Sequence, residues 1–522
     1  MTTGPAQRGR AAPTGRAGLA AMGVSVGLTV AVAVAGPSVM EPVLPGRAGP
    51  PPWAFAAHPS PYLAVGLTAG ALAVGAVGLA LVLRAVRGGW SVPARAVLLA
   101  GLLAAAALTL LPPFGSSDQL SYAAYGRMLV TGHNPYTTTP AGLAALGDPV
   151  ARAVQDWFTT SSVYGPLATG VQGLAALIGG TSARLTVFVL GLANLAAFAG
   201  TAVLLHRMTR RDPARQLRAA LLWAANPLLL QLLIAGAHVD GQAVLFGVAA
   251  VAVLFGPWAG ERAPVPSWSR ALLAGMLAGL GFAVKVSDVV VGLGLAVALV
   301  LRPRAAGGRA GPALAALAAG FAATAGAALA IGGPAMWHQL SRESDLVSIG
   351  SPWRVIRSGV HLVVAGTAAT DIIKAGAVVL TVVLATLLVR GLPGPADAGA
   401  AVAFAVVLAW LFAWPYVLPW YDALAWALLP LVAASPAWNG VAWLLLARTT
   451  ALGFGYLPAR QADATLPRGL SWLQPVVRHG VTPAVLVAAT VLLAVLMVRS
   501  RRSGRVVPKE IIGSRLTVTK AP

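Results

Sequence analysis

The sequence predicts an all-α, polytopic membrane protein of about 12 to 14 spanning helices, and three observations carry that expectation. Hydrophobic residues fill 57% of its 522 positions and charged residues only 10%, too few charges to wet the surface of a water-soluble chain of this size. Apolar runs close to the ~20 residues that cross a bilayer core recur along the whole length. The short loops between those runs carry clusters of arginine, as cytoplasmic loops do. The formal net charge of +22 therefore reads as membrane topology and not as affinity for nucleic acid. No cysteine is present, so disulfides and thiolate metal sites are excluded.

Taken in order, Arg8, Arg10 and Arg16 precede an apolar run from Ala17 to Ala35. An uncleaved first helix behind a cytoplasmic tail of residues 1–16 is favoured over a signal peptide cut after Ala33-Val34-Ala35. Residues 37–60 fall outside on either reading. Arg84, Arg87 and Arg95, between the runs 62–83 and 96–111, are placed inside. So are His206 to Arg218, Glu261 to Arg270, Arg302 to Arg309, Arg390 to Asp397, and a basic tail over 499–522. Alternation then puts 112–160, 235–241, the neighbourhood of 285–288, 332–360, 414–422 and 458–480 outside. Parity leaves no crossing for 163–179, which contains Tyr164-Gly165-Pro166; it is expected to be re-entrant or interfacial, a form tolerated where protein or water covers the backbone. One membrane domain thus spans 17–498, with larger outer loops at 112–160 and 332–360 and no separate soluble domain.

Ionisable residues inside or beside apolar sequence are expensive and mark function by default. Most of those in this chain fall on the inferred outer side. Asp118, in Ser116-Ser117-Asp118-Gln119, follows the third apolar run closely. It is placed to take a proton from an alcohol, or to cap a short helix over 119–129. His238 and Asp240 can orient a sugar hydroxyl, bind a metal or cap the next helix, and their spacing is too short to be diagnostic of metal. Lys285 and Asp288 interrupt the apolar stretch 271–301. They fit a buried ion pair on one helix face, a break between two helices, or a cation meeting a lipid phosphate. The loop 332–360, with Trp337, His338, Gln339, Arg342, Glu343, Asp345, Trp353, Arg354 and Arg357, is either a gate or an ordinary solvated loop. Last comes Trp414-Pro415-Tyr416-Val417-Leu418-Pro419-Trp420-Tyr421-Asp422. Aromatic belts are routine at membrane interfaces, but two prolines break helices and can aim side chains into a cavity.

The ordered set Asp118…Ser121-Tyr122…Gly126-Arg127…Gly132…Asn134-Pro135-Tyr136, then Gly236-Ala237-His238-Val239-Asp240, Lys285 and Leu418-Pro419-Trp420-Tyr421-Asp422 resembles the motifs of actinobacterial polyprenol-phosphate-mannose-dependent alpha-(1->6)-mannosyltransferases. It covers roughly residues 110–425; at Val239 the family usually carries Asn. The resemblance implies a GT-C-type glycosyltransferase of the cytoplasmic membrane whose active site faces outward. It implies a polyprenyl-phosphate-mannose donor and a lipid-anchored mannan acceptor, in lipomannan and lipoarabinomannan synthesis, with membrane lipids around it and no nucleic-acid partner. On that reading Asp118 is the catalytic base, and Lys285 with Arg127 or Arg354 holds the donor phosphate. Tyr122, Asn134, Tyr136, His238, Asp240, Trp420, Tyr421 and Asp422 shape the sugar and acceptor sites. No cofactor or metal is expected. The alternatives are a transporter or flippase of a lipid-linked sugar, against which stands the lack of a convincing repeat between the halves, and a GT-C enzyme using another donor such as polyprenyl-phosphate arabinofuranose.

Overall fold

The computed structural model describes residues 5–47, 49–256, 266–301, 310–364, 366–392, 398–458 and 466–503. Of the segments placed inside, 261–265, 302–309, 393–397 and the tail beyond 503 lie outside the described residues. Among the described residues every regular element is helical. The first half contains α1 (Pro5–Ala35), α2 (Pro61–Arg87), α3 (Ala94–Thr109), α4 (Asp118–Val130), α5 (Pro140–Ala145), α6 (Pro149–Arg152), α7 (Pro166–Gly179), α8 (Ala183–Met208), α9 (Pro213–Leu222), α10 (Pro227–Leu229), α11 (Asp240–Phe255), α12 (Trp268–Val284) and α13 (Val289–Val300). The second half adds α14 (Gly311–Glu343), α15 (Pro352–Val360), α16 (Thr367–Arg390), α17 (Ala398–Ala413), α18 (Ala423–Leu428), α19 (Pro436–Gly455) and α20 (Thr482–Ser503). Among the described residues seven helical stretches are long and apolar enough to cross a membrane, and six shorter apolar helices accompany them. The chain is an all-α, multi-pass membrane protein.

Small residues set the closest helix contacts, as expected where lipid supplies no hydrophobic drive between helices. A Cβ on Gly275 of α12 would lie 2.1 Å from the Leu317 carbonyl oxygen of α14, and one on Gly320 of α14 would lie 2.1 Å from that of Leu272. Neither helix can gain a methyl group at this crossing without moving apart. The first helix starts at Pro5, not at Ala17, because its early turns already pack on the end of α2 and the loop behind it: Gly15 rests on the Trp90 ring and Ala11 on Gly88. In the segment 332–360, α14 continues as far as Glu343. Its kink sits at Gly333, whose φ of 67° is open to glycine at little cost, directly before Pro334.

Helix α7, the stretch expected not to cross, has 14 residues, about 21 Å at 1.5 Å per residue and short of a ~30 Å core. Its first turn is tied to α12 by the Gly165 N–H to the Val284 carbonyl (3.0 Å). Its far end turns at Ser182, whose hydroxyl accepts from the Arg47 N–H (3.2 Å). Both attachments belong to segments that the arginine pattern assigns to one side.

The remaining segments assigned to that side are stitched together as well. Ser348 Oγ donates to the Val417 carbonyl and accepts from the Val417 N–H, each at 2.8 Å. The Trp353 indole donates to the Ala413 carbonyl (2.7 Å). Arginines from the opposite set bond elsewhere, Arg87 to the Asn439 carbonyl (2.6 Å) and Arg218 to that of Val432 (3.3 Å).

Candidate active site

A cavity of about 530 Å³ opens where α4, the α12–α13 break, the end of α14 and the 414–422 segment meet. Its wall is mainly aromatic and aliphatic, with a few ionisable groups converging on it, which is the usual make-up of a ligand site.

Asp118 is the first residue of α4 and is 7% exposed. It does not cap the helix: Ser117 occupies the cap position without a capping bond, and Ser117 Oγ donates instead to Asp156 Oδ2. The Asp118 backbone N–H is taken by Ser116 Oγ (3.1 Å), so the carboxyl is left to face the cavity. Burial first, and then the neighbouring Asp156 carboxylate, push the Asp118 carboxyl up to about 7, against the opposing pull of Lys285 and a hydrogen bond from Trp157. Trp157 sits at φ 61°, a left-handed conformation that costs on the order of 1–3 kcal/mol for a bulky residue and gathers at functional sites.

Lys285 stands where the helix breaks. Its backbone is extended (φ −146°, ψ 122°), which ends α12 and presents the side chain to the cavity. The ammonium donates to Asp240 Oδ1 at 2.6 Å and lies 3.7 Å from the centre of the Tyr421 ring, within range of a cation–π contact. The ion pair is therefore with Asp240, 45 residues away in sequence, and not with Asp288. Asp288 is buried, with Oδ2 lacking a hydrogen-bond partner among the described residues. Of the readings open for this stretch, the break and a cation facing the cavity describe the geometry.

His238 and Asp240 are not caps either, since α11 begins with no side-chain capping bond. A π-helix at Leu230–Ala235 and Ala237 at φ 52° turn the chain inward here. The turn is held by Asn194 Nδ2 donating to the Ala237 carbonyl (2.9 Å). His238 stacks on Trp420 with ring centres 3.4 Å apart, and its Nδ1 is 3.6 Å from Asp118 Oδ2. Burial, and then Lys285, lower its pKa well below the usual imidazole range, so it is neutral at physiological pH. It borders a small hollow behind Trp420 and not the main cavity, because the indole stands between.

Tyr122, Trp420 and Tyr421 line the cavity with Asp118 and Lys285. Asp240 reaches the cavity only through its bond to Lys285, and five other candidates are not brought there. Arg127 Nε is bound to Asp148 Oδ2 (2.7 Å), which fastens α4 to α6. Asn134 Oδ1 accepts from the Tyr136 N–H (2.9 Å) in a local turn. The Tyr136 hydroxyl pairs with Thr169 (3.2 Å) and braces α7. Arg354 is exposed on α15. Asp422 is fully buried behind the wall, accepting from Arg448 Nε (3.0 Å) and Thr449 Oγ1 (2.8 Å); it anchors the turn that carries Trp420 and Tyr421. Among the described residues no three His, Asp or Glu side chains come together as a metal would require.

The cavity also holds Tyr164, Glu343 and Tyr416, which the sequence reading names without a site role, and Tyr456 and Arg478, which it does not single out. The aromatic ones carry no distinctive signal, because such residues are common at interfaces. Arg478 did carry one, as a basic residue on a segment assigned to the outer side, where the charge bias runs the other way.

A buried carboxyl whose pKa lies close to neutral, beside a fixed cation and an aromatic wall, suits general-base catalysis on a hydroxyl with an anionic leaving group. The fold and the site thus define a multi-pass membrane protein with a cavity that brings a buried carboxyl and a cation together. The chain belongs to the alpha-(1->6)-mannopyranosyltransferase family, whose N-terminal domain model matches residues 20–302, more than half of its length. It is similar to an alpha-(1->6)-mannopyranosyltransferase of Mycobacterium tuberculosis, 31% identical over 28% of this chain and 25% of the relative. It also resembles alpha-(1->6)-mannopyranosyltransferase A of Corynebacterium glutamicum, 28% identical over 27% of this chain and 28% of the relative. A probable alpha-(1->6)-mannopyranosyltransferase of Mycolicibacterium smegmatis is 30% identical over 27% and 25%. The matched stretch thus covers about a quarter of these curated relatives.

Proposed function

We propose that the protein transfers mannose from a polyprenyl-phosphate-mannose donor to a lipid-anchored mannan acceptor, forming alpha-(1->6) linkages during lipoglycan synthesis. The cavity faces the outside of the cytoplasmic membrane. One observation carries the reading: Asp118, buried with its carboxyl raised to about 7, shares a cavity with the Lys285 ammonium. The family membership supports the sugar and the linkage.

Asp118 takes the proton from the acceptor's 6-hydroxyl as that oxygen attacks the anomeric carbon. The bond from that carbon to the phosphate oxygen breaks, and its electron pair leaves with the lipid phosphate. Lys285 offsets the charge that develops there. A β-linked donor giving an α-linked product inverts once, so one base suffices. Trp420 and Tyr421 pack against the sugar, and Asp240 fixes the Lys285 ammonium. The apolar wall takes the start of the prenyl chain.

The purified full-length protein, reconstituted in lipid nanodiscs, should convert labelled polyprenyl-phosphate mannose and a short α-(1→6)-mannoside into an extended mannoside. Movement of the lipid across a vesicle membrane without a new glycosidic bond would identify a flippase instead. Product only with a polyprenyl-phosphate arabinofuranose would change the donor.

A further inference from the structure

Lys285 is not a free cation. Its charge is partly offset by Asp240 at 2.6 Å, and the Asp118 carboxyl lies on the same wall. The leaving group, by contrast, gains negative charge, because a singly charged phosphodiester becomes a phosphomonoester that can carry a second charge. A cavity that stabilises this change needs more positive charge than Lys285 supplies.

Arg478 meets the need. It lines the same cavity from the far part of the chain, on a π-helix at Leu473–Val481, an irregular element that recurs at functional sites. Its Nε donates to the Gly455 carbonyl (2.6 Å) and its Nη2 to that of Pro458 (3.3 Å). The guanidinium also lies 5.8 Å from the centre of the Tyr456 ring. Carbonyl partners fix a guanidinium without cancelling its charge, and they leave most of the fork's N–H groups for a ligand. A held guanidinium is the side chain best matched to phosphate oxygens. Asp156, which accepts from Ser117 Oγ, is near enough to Arg478 for their charges to interact and offsets part of the guanidinium's charge.

We propose that Arg478 is a donor-phosphate ligand, gripping the lipid phosphate together with Lys285, so that the phosphate lies between a cation from the family-matched half and one from the other half. The assignment rests on the glycosyltransfer reading above. It extends the site to a segment that the family match does not reach.

The test uses full-length protein in nanodiscs and a polyprenyl monophosphate that carries no sugar, with the uncharged polyprenol as control. R478Q should bind the monophosphate at least ten-fold more weakly (about 1.4 kcal/mol), bind the polyprenol as wild type does, and lower kcat at saturating donor. R478K should recover part of both losses. Wild-type affinity of R478Q for the monophosphate would overturn the proposal. A second measurement does not depend on the variants folding. Arginine modification by phenylglyoxal, read by mass spectrometry on the wild-type protein, should be blocked at Arg478 by the monophosphate and not by the polyprenol. Equal labelling with and without the monophosphate would also overturn it. If wild-type protein makes product while these results go against Arg478, this assignment alone falls. If wild-type protein neither makes product nor binds the monophosphate, the glycosyltransfer reading falls and takes this one with it.

Discussion

Two aspartate–cation pairs stand on either side of the Trp420–Tyr421 turn, and their surroundings differ. Asp422 and Arg448 have side chains 0% and 2% exposed. Both Asp422 oxygens are bonded, and Thr449, which donates to one of them, accepts in turn from the Trp426 indole (3.0 Å). Asp240 and Lys285 are more open, at 8% and 13%. Asp240 keeps one oxygen without a hydrogen-bond partner among the described residues, and Lys285 borders the cavity. The same chemistry thus serves two ends. A closed pair whose carboxylate oxygens are both bonded holds the frame, since removing one partner strands a buried charge. An open pair keeps spare capacity for a ligand. Asp118, which lines the cavity, falls on the open side.

The largest effects should fall at the two extremes. Asp118→Asn should insert and fold normally yet lose about 10²–10⁴-fold in transfer, the range of a general base. Turnover within a few-fold of wild type would remove Asp118 from the chemistry. Asp422→Ala should do the reverse, costing about 3–5 kcal/mol of stability by leaving Arg448 unpaired. It would be read as a fall in detergent-resistant folded protein, and a stable, inactive Asp422→Ala would contradict the frame assignment.

The pH response sharpens the same contrast. A base with a pKa of about 7 is protonated and idle below that pH, so kcat/KM should fall about tenfold per unit below 7 and level off above it. Stability runs the other way. Because the folded value lies above the unfolded one of 3.8, the folded state binds more protons between those limits, and raising pH through that window costs stability. Asp118→Asn should escape the cost and be more stable than wild type at pH 8, by thermal melts at both pH values. Equal melting at pH 5 and pH 8 in wild type would argue against the raised carboxyl.

Next in size, Lys285→Gln should raise the donor KM about ten- to a hundred-fold, and Asp240→Asn should have a smaller effect of the same kind, since Asp240 acts through Lys285. Acceptor KM should stay within about two-fold in both, the loss being confined to one charge-assisted contact of about 1.5–3 kcal/mol. A matching rise in acceptor KM would reject donor-specific roles.

Much of this was legible from one fact, that charge in apolar sequence is costly. That fact singled out Asp118, His238, Asp240 and Lys285 in advance, and arginine alternation grouped the segments that meet at the cavity. Partners were not legible. Spacing offered Asp288 to Lys285 as a helix neighbour, but the break after Val284 swings Lys285 away to Asp240 on α11. His238 read as a sugar contact because nothing in its own segment reveals that Trp420 comes between. Asp422 sits in the same aromatic motif as Trp420 and Tyr421, and only the packing of α19 separates the anchor from the wall. Arg478 carries no site role in the sequence because arginines there read first as topology marks.

The smallest predicted effects test whether the open-site rule also excludes correctly. Arg127 and Arg354 were matched to the donor phosphate by sequence. Arg127 now spends its charge on Asp148 at 2.7 Å, and Arg354 sits on α15, a helix without a buried residue. An exposed cation in water gains little from a partner, and neither side chain lines the cavity. Arg354→Ala should therefore leave donor KM within about two-fold. Arg127→Gln should cost at most about 1 kcal/mol of stability through the lost α4–α6 tie, with donor KM again unchanged. A ten-fold rise in donor KM for Arg354→Ala would mean that α15 closes over the donor during turnover, and the phosphate grip would then include a third cation.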